Sequence, residues 1–417
     1  MDSAATVFLP DLDPEEVRAR VAWAKKRGLP RWLWPDIEPQ HWRAALSQIA
    51  RALTHILTDA PGVVRLDGDP RVLSLAAYTS GTGPLLGYFI ERGKLLATPP
   101  VSSMLAVHLL HNRKRMELLR EEAIAATRLL ADNGIVAIVP KGMHTAFQYF
   151  PEPGCRPISD IDLIVKPEEL ARAEGIFRAH GYAGKVLSQV PYQCDWTRAG
   201  GRTAPHSLLH VHEDDPWSVD LQTTIDRHLR NVGIVPLDRF VSRDRLAVWP
   251  LSDTARVLTQ PLLLVMLAAH ASQHLINLSL GRIVELALVA RADQASGALD
   301  WDAFIRMARE IGPRYLYPAL FACEKLVPGT IASAALKVCE ADAPVEMRRL
   351  LAKRDVALLQ PIDHHSFAER YMWFGGWWNR LRRIVREIDP GPADRTPRKA
   401  LAVYLNRIRA ARHTFAK

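Results

Sequence analysis

The chain has 417 residues, 48% of them hydrophobic and 24% charged, with a net charge of +9 and only four cysteines. That apolar content suffices for two or three packed domains and excludes a largely disordered chain. The cysteines, Cys155, Cys194, Cys323 and Cys339, form no CxxC pair, which argues against a disulfide framework or a zinc site.

The opening MDSAATVFLPDLDPEEV has no basic start, apolar stretch or small-residue cleavage site, so no signal peptide is expected. With the cysteine usage, this points to a cytoplasmic location. Residues 1–100 read as an N-terminal helical region, with DPEEVRARVAWAKKRG and EPQHWRAALSQIARALTHIL at helical spacing. A long helix is expected from Met104 to Asn133, with Gly134 as its C-cap.

The pattern then changes. Residues 101–240 are expected to hold a small mixed α/β unit. IVAIVP (Ile135 to Pro140) reads as a buried strand, PKG opens a short helix, and ISDIDLIV reads as a second strand. KPEELARAEGIFRAHGY follows as a helix, with Pro167 suited to its first position. KVLSQV, HSLLHVH and WSVDLQT read as strands, the last two joined by a turn at EDDP.

Residues 241–360 are expected to be a helical domain. Within it PLLLVMLAAHA is too short to span a bilayer and reads as a buried helix, so no transmembrane segment is expected. Residues 361–417 form a basic, aromatic tail. From Ser366 onward it carries twelve Lys/Arg against four Asp/Glu, which leaves the other 365 residues near neutrality. Such a tail can pack on the body, grip nucleic acid or lie on an anionic surface. The fold class is thus α+β, a small mixed sheet flanked by helical regions.

Chemistry concentrates at RPISDIDLIV. Side chains alternate along a strand, so Asp160 and Asp162 share one face while Ile161 and Leu163 share the other. Two adjacent ionised carboxylates repel, and a divalent cation such as Mg²⁺ or Mn²⁺ holds both. Asp220, between Val219 and Leu221, repeats the pattern; if its strand lies beside the first, three carboxylates converge as a two-metal phosphoryl-transfer site requires. Isolated DxD sequences are otherwise mostly turns or caps. Upstream, Gly142 permits close backbone approach to a phosphate, and Lys141 is either a phosphate ligand or an exposed lysine at a strand end. Arg156 binds phosphate, neutralises the acids, or makes a surface salt bridge.

The order of KG, then R-x-x-x-D-I-D-L-I-V, then a strand-borne V-D-L resembles the nucleotidyltransferase superfamily of the DNA polymerase β type. More narrowly, the chain resembles the bacterial proteins described as uncharacterised nucleotidyltransferases. The matching positions are Asn133-Gly134-Ile135, Lys141-Gly142, Tyr149, Arg156 to Val165, Gly181-Tyr182, and His270 with His274, within roughly residues 100 to 330. Two positions depart from the superfamily pattern: Met143 where a second Gly or Ser is usual, and Gln222 where a histidine often follows the third carboxylate. The resemblance implies a polymerase-β-like core and a metal-dependent, Mg²⁺- or Mn²⁺-using transfer of a nucleoside monophosphate from an NTP to a hydroxyl-type acceptor. Asp160, Asp162 and Asp220 would hold metal, and Lys141, Gly142 and Arg156 would bind the nucleotide. The alternatives are a non-catalytic relative that binds a nucleotide or partner, and a nucleic-acid-binding protein acting through its tail.

Other polar residues read as structural first. His270 and His274 lie four apart on one helical face, the spacing a metal would want, but their core-like neighbours favour packing histidines. His210 and His212 read as solvent-facing strand positions, with nucleotide or metal contact as the alternative. Asp214 and Asp215 read as turn residues, and Glu285 as a buried acid paired with a nearby His or Arg.

Overall fold

The computed structural model describes residues 13–27, 29–189, 192–198, 205–229 and 233–360, with Ile362, Trp373, Phe374 and Trp378. The chain begins with helices α1 (Pro14–Arg27) and α2 (Pro39–Leu57). In α2, Trp42, Leu46, Ile49 and Leu53 recur every three to four residues and are all buried, so the helix is held by its apolar face. A short strand, β1 (Val64–Leu66), precedes helices α3 (Pro70–Ser80) and α4 (Gly83–Glu91). The Asp69 carboxylate caps α3 by accepting from the Arg71 and Val72 amides, and Gly81, at φ 73°, ends it. Strand β2 (Leu95–Ala97) pairs in parallel with β1.

Helix α5 (Pro99–Asp132) has 34 residues and is about 51 Å long at 1.5 Å per residue. Its first half buries Val101, Met104 and Leu105 in the helical core, and its second half buries Met116, Leu119, Ala123, Ala126 and Leu130 under a sheet. The expected long helix is present, starts slightly earlier, and ends with Gly134 in a left-handed conformation.

The central region follows. Helix α6 (Met143–Gln148), strand β3 (Asp160–Ile164) and helix α7 (Leu170–Ala179) lead to β4 (Tyr182–Gln189), β5 (Tyr192–Arg198) and β6 (Ser218–Gln222). The strand order is β3-β6-β5-β4, with β3 and β6 parallel and the other pairs antiparallel. A small hairpin, β7 (Arg227–Leu229) and β8 (Gly233–Val235), precedes the hairpin β9 (Leu246–Trp249) and β10 (Ser252–Leu258). Ile138 bridges Ile164 on one side and Arg256 on the other, joining β10 to the sheet edge.

Three expectations are corrected here. IVAIVP is a single-residue bridge at Ile138 rather than a full strand. Ser252–Leu258, expected to be helical, is a strand, because alternate residues Ala255 and Val257 bury against the sheet core. HSLLHVH forms no strand: β6 takes β5 as its antiparallel neighbour, and residues 205–217 form an irregular loop.

The remaining helices are α8 (Leu262–Gln273), α9 (Leu280–Ala295), α10 (Trp301–Ile311), α11 (Tyr317–Leu326), α12 (Ser333–Asp342) and α13 (Val345–Lys353). The first ten residues of α8 include nine that are buried on all sides, as its uniformly apolar sequence requires. At the start of α9, a Cβ on Gly281 would lie 2.9 Å from the Gly81 carbonyl oxygen and 3.0 Å from that of Ser80. Only glycine permits this direct seat of α9 on the end of α3. No helix among the described residues is long and apolar enough to cross a membrane. The four cysteines are buried and unpaired. Apart from Ile362, Trp373, Phe374 and Trp378, the tail and its expected contacts with nucleic acid or an anionic surface lie outside the described residues.

Candidate active site

The sheet has an apolar face and a polar one. Ile161, Leu163, Cys194, Trp196, Val219 and Leu221 point into the core, where Phe177 of α7 lies 5.5 Å from Trp196 between ring centres. The alternate residues face the other way. In the parallel register Asp162 stands opposite Asp220, and Asp160 is two residues before Asp162. The carboxylates of Asp160, Asp162 and Asp220 accordingly lie within 4.8 Å of one another, with Asp162 and Asp220 buried. Alternation and strand adjacency together produce the cluster.

Lys141 is buried and donates to the Asp162 Oδ2, so it is not the exposed strand-end lysine that sequence allowed. Gln222 Nε2 donates to Asp220 Oδ2 at 2.6 Å and to Asp162 Oδ1 at 3.3 Å. Gln193 Nε2 also donates to Asp220 Oδ2, at 2.7 Å, leaving Asp220 Oδ1 buried without a partner. Burial and the neighbouring Asp162 push the Asp220 carboxyl up to about 7, against the two amide hydrogen bonds. Burial likewise raises Asp162, with Lys141 opposing it. An all-oxygen donor set with an orphaned buried oxygen and under-compensated charge fits a hard divalent cation.

These groups open into a cavity of about 550 Å³ between the sheet and helices α8 and α9. Its cationic lining includes Arg227, Arg282 and Arg156 beside Lys141. Arg227 is buried; its guanidinium contacts the Met266 sulfur at 3.6 Å, while Asp162 and Asp220 counter the pull of burial on its charge. Arg156 donates to Glu285 from Nε at 3.1 Å and from Nη2 at 2.9 Å. This partly buried bidentate pair replaces the surface salt bridge that sequence allowed, and it bears out the expected partner for Glu285. His270 and His274 also line the cavity. Burial and the nearby cations hold His270 well below the usual histidine range and His274 down to about 3, so both imidazoles are neutral near pH 7.

Gly142 turns the chain between these groups at φ 63°. A Cβ there would lie 3.7 Å from Asp162 Oδ2 and 3.9 Å from an Arg156 nitrogen. The geometry thus brings Asp160, Asp162, Asp220, Lys141, Gly142 and Arg156 to one place.

Sequence reasoning missed Arg227, Arg282, Gln193 and Asp195. Asp195 stands opposite Asp220 in the β5–β6 register and so shares its face. Gln193 and Asp195 share the period-two alternation already used for Asp160 and Asp162, but their role depends on which strand neighbours β6. Arg227 sits on a three-residue strand with no periodicity to read, and Arg282 directly follows the tight Gly281 contact.

The comparisons with curated proteins and with solved structures give no match. A family model described as uncharacterised nucleotidyltransferase matches residues 68–328, a span that contains every strand of the sheet and both cavity-lining helices. A match over more than half of the chain, centred on this site, places the protein in the uncharacterised nucleotidyltransferase family, as a nucleotidyltransferase.

Proposed function

We propose that the protein transfers a nucleoside monophosphate from an NTP to a hydroxyl-type acceptor in a metal-dependent reaction. The observation that carries this reading is the convergence of three carboxylates, one with an unpartnered buried oxygen, at the mouth of a cation-lined cavity. Asp160, Asp162 and Asp220 would hold Mg²⁺ or Mn²⁺, which when bound neutralises developing charge on the transferred phosphoryl group. Lys141, Arg227 and Arg282 supply positive charge for the triphosphate, and the turn at Gly142 lets the backbone come close to it. Arg156, committed to Glu285, keeps that cavity wall in place. Asp220 would also stand beside the acceptor hydroxyl and help activate it. His270 and His274, held neutral, offer hydrogen bonds without adding charge.

We place the reaction in the cytoplasm and divide the chain at about residues 100, 240 and 360. The test is incubation of the purified protein with each labelled NTP, Mg²⁺ or Mn²⁺ and cell extract. Label should pass to an acceptor with release of pyrophosphate. Asp160→Asn and Asp162→Asn should lose this turnover with little change in melting temperature; full activity in both would refute the assignment.

A further inference from the structure

A second cluster of metal-ligating side chains lies away from the cavity. The loop segment HSLLHVHEDD carries His206, His210, His212, Glu213, Asp214 and Asp215, and α5 presents His108 and His111 to it. The rings of His111 and His212 are 4.2 Å apart between centres, and those of His206 and His212 are 3.9 Å apart. None of these residues lines the carboxylate cavity.

The loop is held in a fixed shape. Asp215 accepts from the His206 amide at 2.7 Å and from the His212 amide at 2.9 Å, while Arg115 of α5 donates to the Pro216 carbonyl at 3.1 Å. The donor atoms of His111, His212 and Glu213 all lie within 4.8 Å of one another, and His206 and Asp214 form an equally close set with the same His212. His111, His212 and Glu213 are partly exposed at 20–22%, so an ion can reach them from solvent. Glu213 accepts from His111 Nδ1 at 2.8 Å through Oε2, while Lys114 contacts Oε1 at 3.3 Å. Imidazoles with one carboxylate are donors of mononuclear zinc sites.

We infer that His111, His212 and Glu213 hold one zinc ion, with a fourth, solvent-facing position beside Asp214. With zinc on His111 Nδ1 the ring proton would sit on Nε2, the Nδ1–Glu213 hydrogen bond would give way to two metal bonds, and Lys114 would keep Glu213 Oε1. The ion would clamp the loop that enters β6, and so Asp220, onto α5. The sequence lacked the cysteine pairs of common structural zinc sites, and that argument does not reach a site built from histidines on two separate elements.

The test uses the metal-stripped full chain in excess Mg²⁺, which occupies the oxygen-only site. Co²⁺ serves as the optical probe, since imidazole-bound four-coordinate Co²⁺ absorbs visible light far more strongly than hydrated Co²⁺. One equivalent should develop this band, Zn²⁺ should displace it, and Zn²⁺ should raise the melting temperature. His212→Ala and His111→Ala should weaken Zn²⁺ binding at least about a hundredfold, and Glu213→Gln at least about tenfold. Asp160→Asn should bind Zn²⁺ as the parent does. A parent chain that develops no band, or an Asp160→Asn chain that loses it while His212→Ala keeps it, overturns the inference. The parent spectrum decides the question even if a histidine variant does not fold.

Discussion

Two buried carboxylates face the same cavity and are treated in opposite ways. Glu285 on α9 is held below the usual glutamate range, because Arg156 grips both of its oxygens and Thr145 donates to one of them. Asp220 on β6 is raised to about 7, because burial and the acid Asp162 outweigh the hydrogen bonds it accepts from the neutral amides of Gln193 and Gln222. Glu285 is complete as it stands and serves the wall. Asp220 lacks positive charge, and that deficit is what a catalytic metal would fill. On the proposed function, a bound cation would add to Lys141, which already pairs with Asp162, as counterion of these carboxylates.

The contrast is most exposed to failure through activity. Asp160→Asn removes a partly buried carboxylate, and we expect turnover to drop by roughly 10³-fold or more in steady-state assays. Retained turnover would move the chemistry away from β3. Glu285→Ala should cost about 3 kcal/mol in urea unfolding, because it leaves the partly buried Arg156 without its carboxylate and close to other cations. A cost below about 1 kcal/mol would show that the wall is not complete in the sense argued.

Gly142 lies close to Asp162 and to Arg156, the partner of Glu285. Gly142→Ala places a side chain at φ 63°, and equilibrium unfolding should show a loss of about 1–3 kcal/mol. An unchanged midpoint would mean the turn relaxes without it. The smallest effect concerns pH. Asp220 holds a proton in the fold up to about pH 7, whereas an unfolded aspartate loses it near pH 4. The folded state thus binds more protons between these values, and in metal-free protein stability should fall as pH rises from about 4 to 7 and then level off. Asp220→Asn should remove that slope and raise the melting temperature at pH 8 by roughly 2–4 °C. A scanning-calorimetry series with the same slope in both proteins would assign the proton elsewhere.

How much of this was legible beforehand depended on range along the chain. Asp160 and Asp162 were readable because period-two alternation is local to one strand, and α5 because its apolar spacing persists over many turns. The neighbour of β6 was misread: HSLLHVH alternates like a strand, yet Asp215 and Arg115 tie it into a loop and β5 takes the edge. His270 and His274 were read as packing residues from their apolar surroundings, although they also line the cavity, because a helix pattern does not reveal which part of a buried face meets a void. Arg227 and Arg282 left no pattern because their meaning lies in what they face across the fold.

The contact between Gly281 and the end of α3 also fixes how the enzyme can be divided. Thr79 and Gly81 line one side of the cavity, and Arg282 and Glu285 another, so segments about 200 residues apart build a single wall. A chain trimmed to its sheet and the helices packed beneath it would keep the three aspartates and lose much of the cavity that they line.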